Sequence, residues 1–367
     1  MRPAFVLPLL LLASIAPRDS VRPVAAATVA SRSVPSAPKI LLYVDMDGSS
    51  GVRRARQVLY PNPEYFASRK FITSDVNAAI RGLKAGGAGE IVVTDAHGSG
   101  NTESPDVIVD QMDKRATFLF RDEPFDPYTD ILDSSYTAIV AVGMHARARS
   151  EGFMAHTVTL EPYYRVNGVP ITECELIAHS AARYGIPLVM VAGDDVLERQ
   201  VREAFPRAEY AVVKRARGRA DAVLIPQAEV QASIERAART AMGKIGSIAP
   251  YTVAPSYRFE VGYWNPRQGD LAAGIPGVER VDSVTIGYTS PSFVDGYRKS
   301  LQTNGMARLD AMRWLLQAVR ARPDGKRVMG DYLDLFVTAW LEPDKLPKAP
   351  APPVAASAGK KRYWGDT

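Results

Sequence analysis

From Lys39 onward the chain alternates short, wholly apolar runs with longer stretches in which apolar positions recur three or four residues apart. "KILLYVDM" (39–46), "EIVVTDAH" (90–97), "YTAIVAVGMHA" (136–146) and "PLVMVAGDD" (187–195) are runs of the first kind. Unbroken apolar runs of this length predict strands buried on both faces, as in parallel sheets. Residues 63–85 have helical periodicity that stops at "AGGAG", and 173–184 form a second helical stretch. Strand–helix–strand order predicts an α/β fold: an open, mostly parallel sheet with helices on both faces. "HTVTLEPYYRVNGVPIT" (156–172) instead alternates like a hairpin, with Asn167-Gly168 at its turn.

The later pattern differs. "AEYAVVKRA" (208–216), helical spacing over 226–245, "SYRFEVGYW" (256–264), "DSVTIGYTS" (282–290) and a helix at about 307–321 predict a smaller α+β domain. The expected organisation is therefore an α/β domain at 39–200, an α+β domain at 201–345, and a Pro/Ala-rich tail at 346–367. At the other end, "MRPAFVLPLLLLASIA" places one arginine before an apolar core, and the small residues of "PVAAATVA" follow. That order predicts a secretory signal over 1–27 and a flexible leader over 28–38, hence a periplasmic or secreted address. The apolar core is shorter than a bilayer-spanning helix, so no stable membrane association is expected after cleavage.

Composition narrows the partners. Residues 1–27 carry a net +2 and the segment from 346 a net +3, so none of the chain's +5 remains for 28–345. A neutral folded body argues against nucleic-acid binding, and "KRARGR" (214–219) alone is too short a basic run to form a binding face. The chain has one cysteine, Cys174, so no internal disulfide supports it.

The candidate chemistry sits at the strand ends. Asp45 and Asp47 follow the first apolar run, His97 ends the second, His145 ends the third, and Glu173 opens the helix after the hairpin. Ligands of open α/β sheets bind at the carboxyl ends of the strands. Two carboxylates, two imidazoles and a further carboxylate on one rim suit Zn²⁺ or another borderline divalent ion. Five ligands exceed the needs of one catalytic zinc and suit two ions sharing a carboxylate. Taken singly, each residue has a plainer reading: the D-x-D pair as a solvated turn or helix cap, each histidine as a hydrogen-bonded structural residue. Asp95 could orient His97 or face away, Asp194 and Asp195 could support the rim or cap a helix, and Lys214, Arg147 and Arg149 could anchor a substrate carboxylate or face solvent. His179 and Cys174 read as packing residues.

"VDMDGSSG", "TDAHGSGN", "GMHARARSEGFMAHT", "NGVPITECEL" and "VMVAGDD" resemble, in order and spacing, the M55 family of D-aminopeptidases, strongly over about 39–214 and more weakly to about 321. The resemblance implies two zinc ions per protomer held by Asp45, Asp47, His97, His145 and Glu173, with Asp47 standing where the family has a glutamate. It assigns the family's catalytic histidine to His156. It also implies cleavage of N-terminal D-residues such as D-alanine from short peptides, and a homo-oligomer, a ring-shaped decamer. Two other functions remain open: a non-catalytic periplasmic peptide-binding component of a transport system, and a different dinuclear hydrolase such as a phosphoesterase.

Overall fold

The computed structural model describes residues 34–60, 62–97, 105–120, 126, 128–158, 160, 162–251 and 255–341. The expected signal at 1–27, most of the leader and the tail at 346–367 lie outside the described residues. Among the described residues no helix is long and apolar enough to cross a membrane.

Seven strands form the larger sheet: β1 (Lys39–Val44), β2 (Glu90–Asp95), β3 (Thr117–Phe118), β4 (Ala138–Met144), β7 (Leu188–Asp194), β8 (Glu209–Ala216) and β9 (Ala222–Leu224), in the order β3-β2-β1-β4-β7-β8-β9. All neighbours are parallel except β9, which runs antiparallel to β8. A second, antiparallel sheet has the order β11-β12-β10-β5-β6, from β5 (Tyr163–Val166), β6 (Val169–Pro170), β10 (Tyr257–Gly262), β11 (Glu279–Arg280) and β12 (Thr285–Ser290).

Period-two alternation along β1 explains why its run is apolar throughout. Ile40, Leu42 and Val44 pack with Ile72, Val76 and Ile80 of α1 (Pro63–Ala85) and with Val230 and Ile234 of α4 (Gln227–Met242). Leu41 and Tyr43 face the opposite layer, with Leu176 and Ile177 of α2 (Glu173–Ala182) and Leu197 of α3 (Asp195–Ala204). That second layer is continuous with Val166, Phe259, Val261 and Ile286 of the smaller sheet. The remaining helices are α5 (Pro266–Ala273), α6 (Phe293–Ala307), α7 (Leu309–Ala321) and α8 (Gly325–Leu341).

The strands do not divide at residue 200. β8 pairs in parallel with β7 and extends the first sheet, while the β5–β6 hairpin pairs with β10 in the second. Near the sheet edge β8 is only partly buried, which gave its sequence the alternation of a half-exposed strand. The hairpin turn is where the sequence places it: Asn167 has φ 51° and Gly168 φ 79°, the paired positive angles of a type I′ turn. Its first strand begins at Tyr163 rather than at 156, because 156–158 are occupied at the site described next. Helix α6, absent from the periodicity reading, is broken in sequence by Gly296 and Gly305. A Cβ at Gly296 would lie 2.0 Å from the Phe259 ring, so packing onto the sheet demands the glycine that weakens the helical signal.

Candidate metal centre

The ends of β1 and β4 are knitted together beyond their last paired residues. The N–H of Asp45 donates to Val142 O (2.9 Å), and that of Gly48 to Gly143 O (2.7 Å). Neither approach leaves room for a side chain: a Cβ at Gly48 would sit 1.8 Å from Met144 O, and one at Gly143 1.9 Å from Asp45 O. Gly143 has φ +78°, and the β4–β7 register shifts between Val142 and Met144. This bulge directs His145 to the rim, where it meets the carboxylate turn after β1.

In that turn Asp45 Oδ1 accepts the N–H of Asp47 (2.9 Å), fixing both carboxylates. The fully buried Lys214 of β8 donates from Nζ to Asp47 O (2.9 Å) and Val52 O (3.0 Å), and its ammonium lies 4.4 Å from the Phe153 ring centre. Lys214 is thus neither a surface residue nor a substrate anchor; it holds the backbone of the turn. Burial lowers its pKa to about 8, against the opposing pull of Asp194, Asp47 and Asp75.

Three imidazoles point the same ring atom inward. His145 Nδ1 donates to Ala146 O (3.1 Å) and His156 Nδ1 to Met154 O (2.6 Å). Carbonyl oxygens only accept, so each Nδ1 bears a hydrogen, and Nε2 is the atom each ring would turn to a metal once it carries no proton. His97 Nδ1 lies 2.6 Å from Asp106 Oδ2. Their Nε2 atoms face the carboxylates: His97 3.3 Å from Asp47 Oδ1, His145 3.3 Å from Asp45 Oδ2, and His156 3.8 Å from Asp47 Oδ2.

Glu173 completes the cluster from the first turn of α2. Thr172 caps that helix in a reciprocal box with Glu175, which aims the neighbouring Glu173 at the rim. Its Oε2 accepts from the Tyr128 hydroxyl (2.7 Å) and its Oε1 from the Val158 N–H (2.6 Å), leaving Oε1 3.5 Å from His145 Nε2. Val158 and Met154 both have positive φ, 65° and 53°, costly for residues with a side chain. The backbone groups so turned, Val158 N–H and Met154 C=O, are the ones that hold Glu173 and His156.

The electrostatics follow from this crowding. Burial alone would raise the Glu173 carboxyl, but His145, His156 and the Tyr128 hydroxyl bring it down to about 2. Asp47 is likewise held well below the usual carboxylate range, burial being outweighed by His97, His156 and His145. Burial would lower His97 and His145, yet their carboxylate partners raise both well above the ordinary imidazole value.

Two buried atoms, Asp47 Oδ1 and His145 Nε2, have no hydrogen-bond partner among the described residues. Leaving such atoms unpaired costs about 1–3 kcal/mol each, and a cation between them would remove that cost. Three residue sets offer atoms within 4.8 Å of one another and could hold a metal ion: Asp45, His145 and Glu173; Asp45, Asp47 and His97; Asp47, His145 and His156. The first two divide the five expected ligands between them, with Asp45 common to both. The donor set, carboxylate oxygens and imidazole Nε2 atoms, fits zinc.

All six residues singled out from the sequence therefore meet at one rim. Asp95 faces the turn rather than the His97 ring, accepting the His97 N–H on Oδ1 (3.0 Å) and the Asp106 N–H on Oδ2 (3.1 Å). Asp194 caps α3 through Val196 and Leu197 and also accepts the Phe153 N–H (2.9 Å), so it steadies the loop that carries His156. Sequence reasoning missed Asp106, Tyr65 (whose hydroxyl donates to Asp106 Oδ1 at 2.7 Å) and Tyr128. Tyr65 and Tyr128 are 41 and 45 residues from their partners, and Asp106, nine residues beyond His97, lies outside the motif that carries it.

A family model described as D-aminopeptidase, peptidase M55, matches residues 39–301. A D-aminopeptidase of Bacillus subtilis (strain 168) is 25% identical over 272 residues, covering 73% of this chain and 97% of the relative. The solved structure of the Zn-dependent D-aminopeptidase DppA from Bacillus subtilis, a self-compartmentalizing protease, has TM-score 0.68 at 24% identity, over 73% of this chain and 97% of its own. With the family model covering well over half of it, the chain belongs to the peptidase M55 family of D-aminopeptidases, a family of hydrolases.

Proposed function

We propose that this protein is an exported two-zinc aminopeptidase that releases N-terminal D-amino acids, D-alanine among them, from short peptides. The observation that carries the reading is the pair of overlapping ligand sets, Asp45–His145–Glu173 and Asp45–Asp47–His97, with unpartnered Asp47 Oδ1 and His145 Nε2 inside them. These residues would hold two ions with Asp45 shared. When bound, zinc supplies Lewis acidity toward a peptide carbonyl and lowers the pKa of a coordinated water. Asp47 serves in place of the family's longer glutamate because the Gly48 contact to β4 pulls the turn close to the histidines.

His156 is the proton-transfer residue. Its Nδ1–H is committed to Met154 O, so Nε2 is the atom that takes up a proton and returns it to the leaving amino nitrogen. Tyr128 and the Val158 N–H keep Glu173 ionised and aimed, and Asp106 keeps the His97 ring in register. The family relative's description as self-compartmentalizing supports a homo-oligomer, a decamer in the fullest form of the resemblance, whose enclosure admits only short peptides. The apolar N-terminal segment supports a periplasmic or secreted location.

The deciding experiment assays the purified chain on D-Ala-D-Ala and L-Ala-L-Ala before chelation, after chelation and after zinc restoration. Release of alanine from the D-peptide alone, abolished by chelation and restored by zinc, is expected. Turnover indifferent to chelation, or confined to the L-peptide, overturns the reading.

A further inference from the structure

The basic run "KRARGR" (214–219) divides in the structure: Lys214 is buried and holds the carboxylate turn, whereas 217–219 enter the tip that joins β8 to β9. That tip touches both sides of the metal-capable rim. On one side Arg53, which follows the Asp45–Asp47 turn, donates from Nε and Nη2 to Asp221 Oδ1 (3.1 and 2.9 Å). On the other, the Met154 N–H donates to Arg219 O (3.0 Å), and the Arg219 guanidinium donates to Ala155 O (3.4 Å). Met154 and Ala155 are the two residues before His156, and the Met154 carbonyl also holds the His156 ring.

The cations around the rim are not equivalent. Asp221 pairs with Arg53, and the positive charge of Arg217 acts on it as well. Arg149, exposed between His145 and His156, exerts its charge at Tyr163 of β5. Arg219 is exposed and has no carboxylate partner among the described residues. Its one long hydrogen bond uses one of five N–H groups, so the fork is steadied beside His156 with most of its donors open. Gly218 has φ +83°, a turn that sets Arg219 back against the 154–155 segment.

The reach is short. Ala155 O and the His156 backbone nitrogen belong to one peptide group, so the guanidinium stands within about 6 Å of that nitrogen. In the reaction proposed above, the leaving amino nitrogen lies at His156 Nε2. A dipeptide carries its carboxylate one Cα beyond that nitrogen, about 3–4 Å further. A planar guanidinium with open donors matches a carboxylate in two parallel hydrogen bonds.

We propose that Arg219 binds the C-terminal carboxylate of the substrate and so makes dipeptides with a free C-terminus the preferred class. The proposal rests on the aminopeptidase reading and deepens it. The ligand cluster takes the amino-terminal end, Arg219 takes the carboxyl-terminal end, and the distance between them selects length.

The test compares D-Ala-D-Ala with its C-terminal amide on the zinc-loaded full chain. The free acid is expected to show a kcat/KM about tenfold higher, carried by KM, the effect of one charge-assisted pair. Arg219→Gln is expected to bring the two substrates to the same kcat/KM by raising KM for the acid. Arg219→Lys, which keeps the charge, is expected to retain part of the preference, and Arg217→Gln and Arg149→Gln to keep the full ratio. Equal rates on acid and amide in the unaltered chain, or a preference that survives Arg219→Gln, would overturn the proposal. So would an equal loss on both substrates in Arg219→Gln, which marks a purely structural role, or collapse of the ratio in Arg217→Gln or Arg149→Gln. Turnover of neither peptide overturns the aminopeptidase reading and this proposal with it, so the two failures are told apart.

Discussion

The imidazoles of His145 and His156 lie face to face, their centroids 4.0 Å apart and their planes 10° from parallel. Each is held by a backbone carbonyl at Nδ1, yet their Nε2 atoms face different carboxylates. His145 looks to Asp45 and Glu173 at 3.3 and 3.5 Å, and His156 to Asp47 and Glu173 at 3.8 and 4.0 Å. The more buried, closer ring suits metal holding and the outer one suits proton transfer. His156→Gln is therefore expected to lower kcat by about 10²–10⁴-fold with zinc content unchanged, and His145→Gln to lose zinc. Metal analysis beside steady-state kinetics separates the two.

Asp106 grips His97 from behind, itself held by Tyr65. Asp106→Ala should weaken zinc binding by about 10–100-fold, read by competition with a chromophoric chelator. Tyr65→Phe, which removes a donor one bond further out, should give a smaller loss in the same direction.

Lys214 has no exposed surface and supplies two hydrogen bonds to the turn between Asp47 and Val52. Lys214→Met keeps the stem and removes both donors. Stability should fall by about 2 kcal/mol or more, the cost of leaving buried carbonyls unpaired, and zinc affinity should fall with it. Chemical denaturation and chelator competition on the same variant test both.

Gly48→Ala would drive a methyl into Met144 O and should cost about 3 kcal/mol or more. Gly305→Ala, in α6 with nothing within 4 Å of the added carbon, should instead stabilise by about 0.5–1 kcal/mol. Paired denaturation curves distinguish crowding from a general intolerance of substitution.

His179 titrates near 6.5 when unfolded and near 3 when folded, because burial disfavours its charged form. Between those values the unfolded chain binds the extra proton, so stability falls as pH drops below about 6.5. The slope approaches 1.4 kcal/mol per unit, or about 2 kcal/mol by pH 5. His179→Phe should remove that share of the acid sensitivity, seen as a smaller difference between denaturant midpoints at pH 7.5 and pH 5.

The strands were legible wherever burial on both faces made the run continuous, as in β1 and β4, and so was the rim, because Asp45, His97 and His145 each end such a run. What was not legible depends on distance along the chain. Tyr128 lies 45 residues from Glu173, Asp106 has no motif to tie it to His97 even nine residues away, and Lys214 looks like one residue of a basic loop until β8 is placed beside β7. The positive φ angles at Met154 and Val158 had no signal either, since neither residue type favours them. Helix α6 was hidden because its glycine serves Phe259 rather than the helix.

The chain lays down four strands of the large sheet, then the β5–β6 hairpin of the small one, then returns to the large sheet before supplying β10. Val166 must therefore wait for Phe259, its partner across the ladder, through the making of β7, β8, β9 and α4. At ordinary rates of synthesis that interval is on the order of ten seconds. During it the hairpin presents an open edge to any passing strand. Its two-residue β6, ending at Pro170, is too short to template such pairing on its outer side. The same interleaving means that no single cut yields two intact sheets: a fragment ending near residue 200 strands the hairpin and also deprives β7 of β8, leaving it only β4.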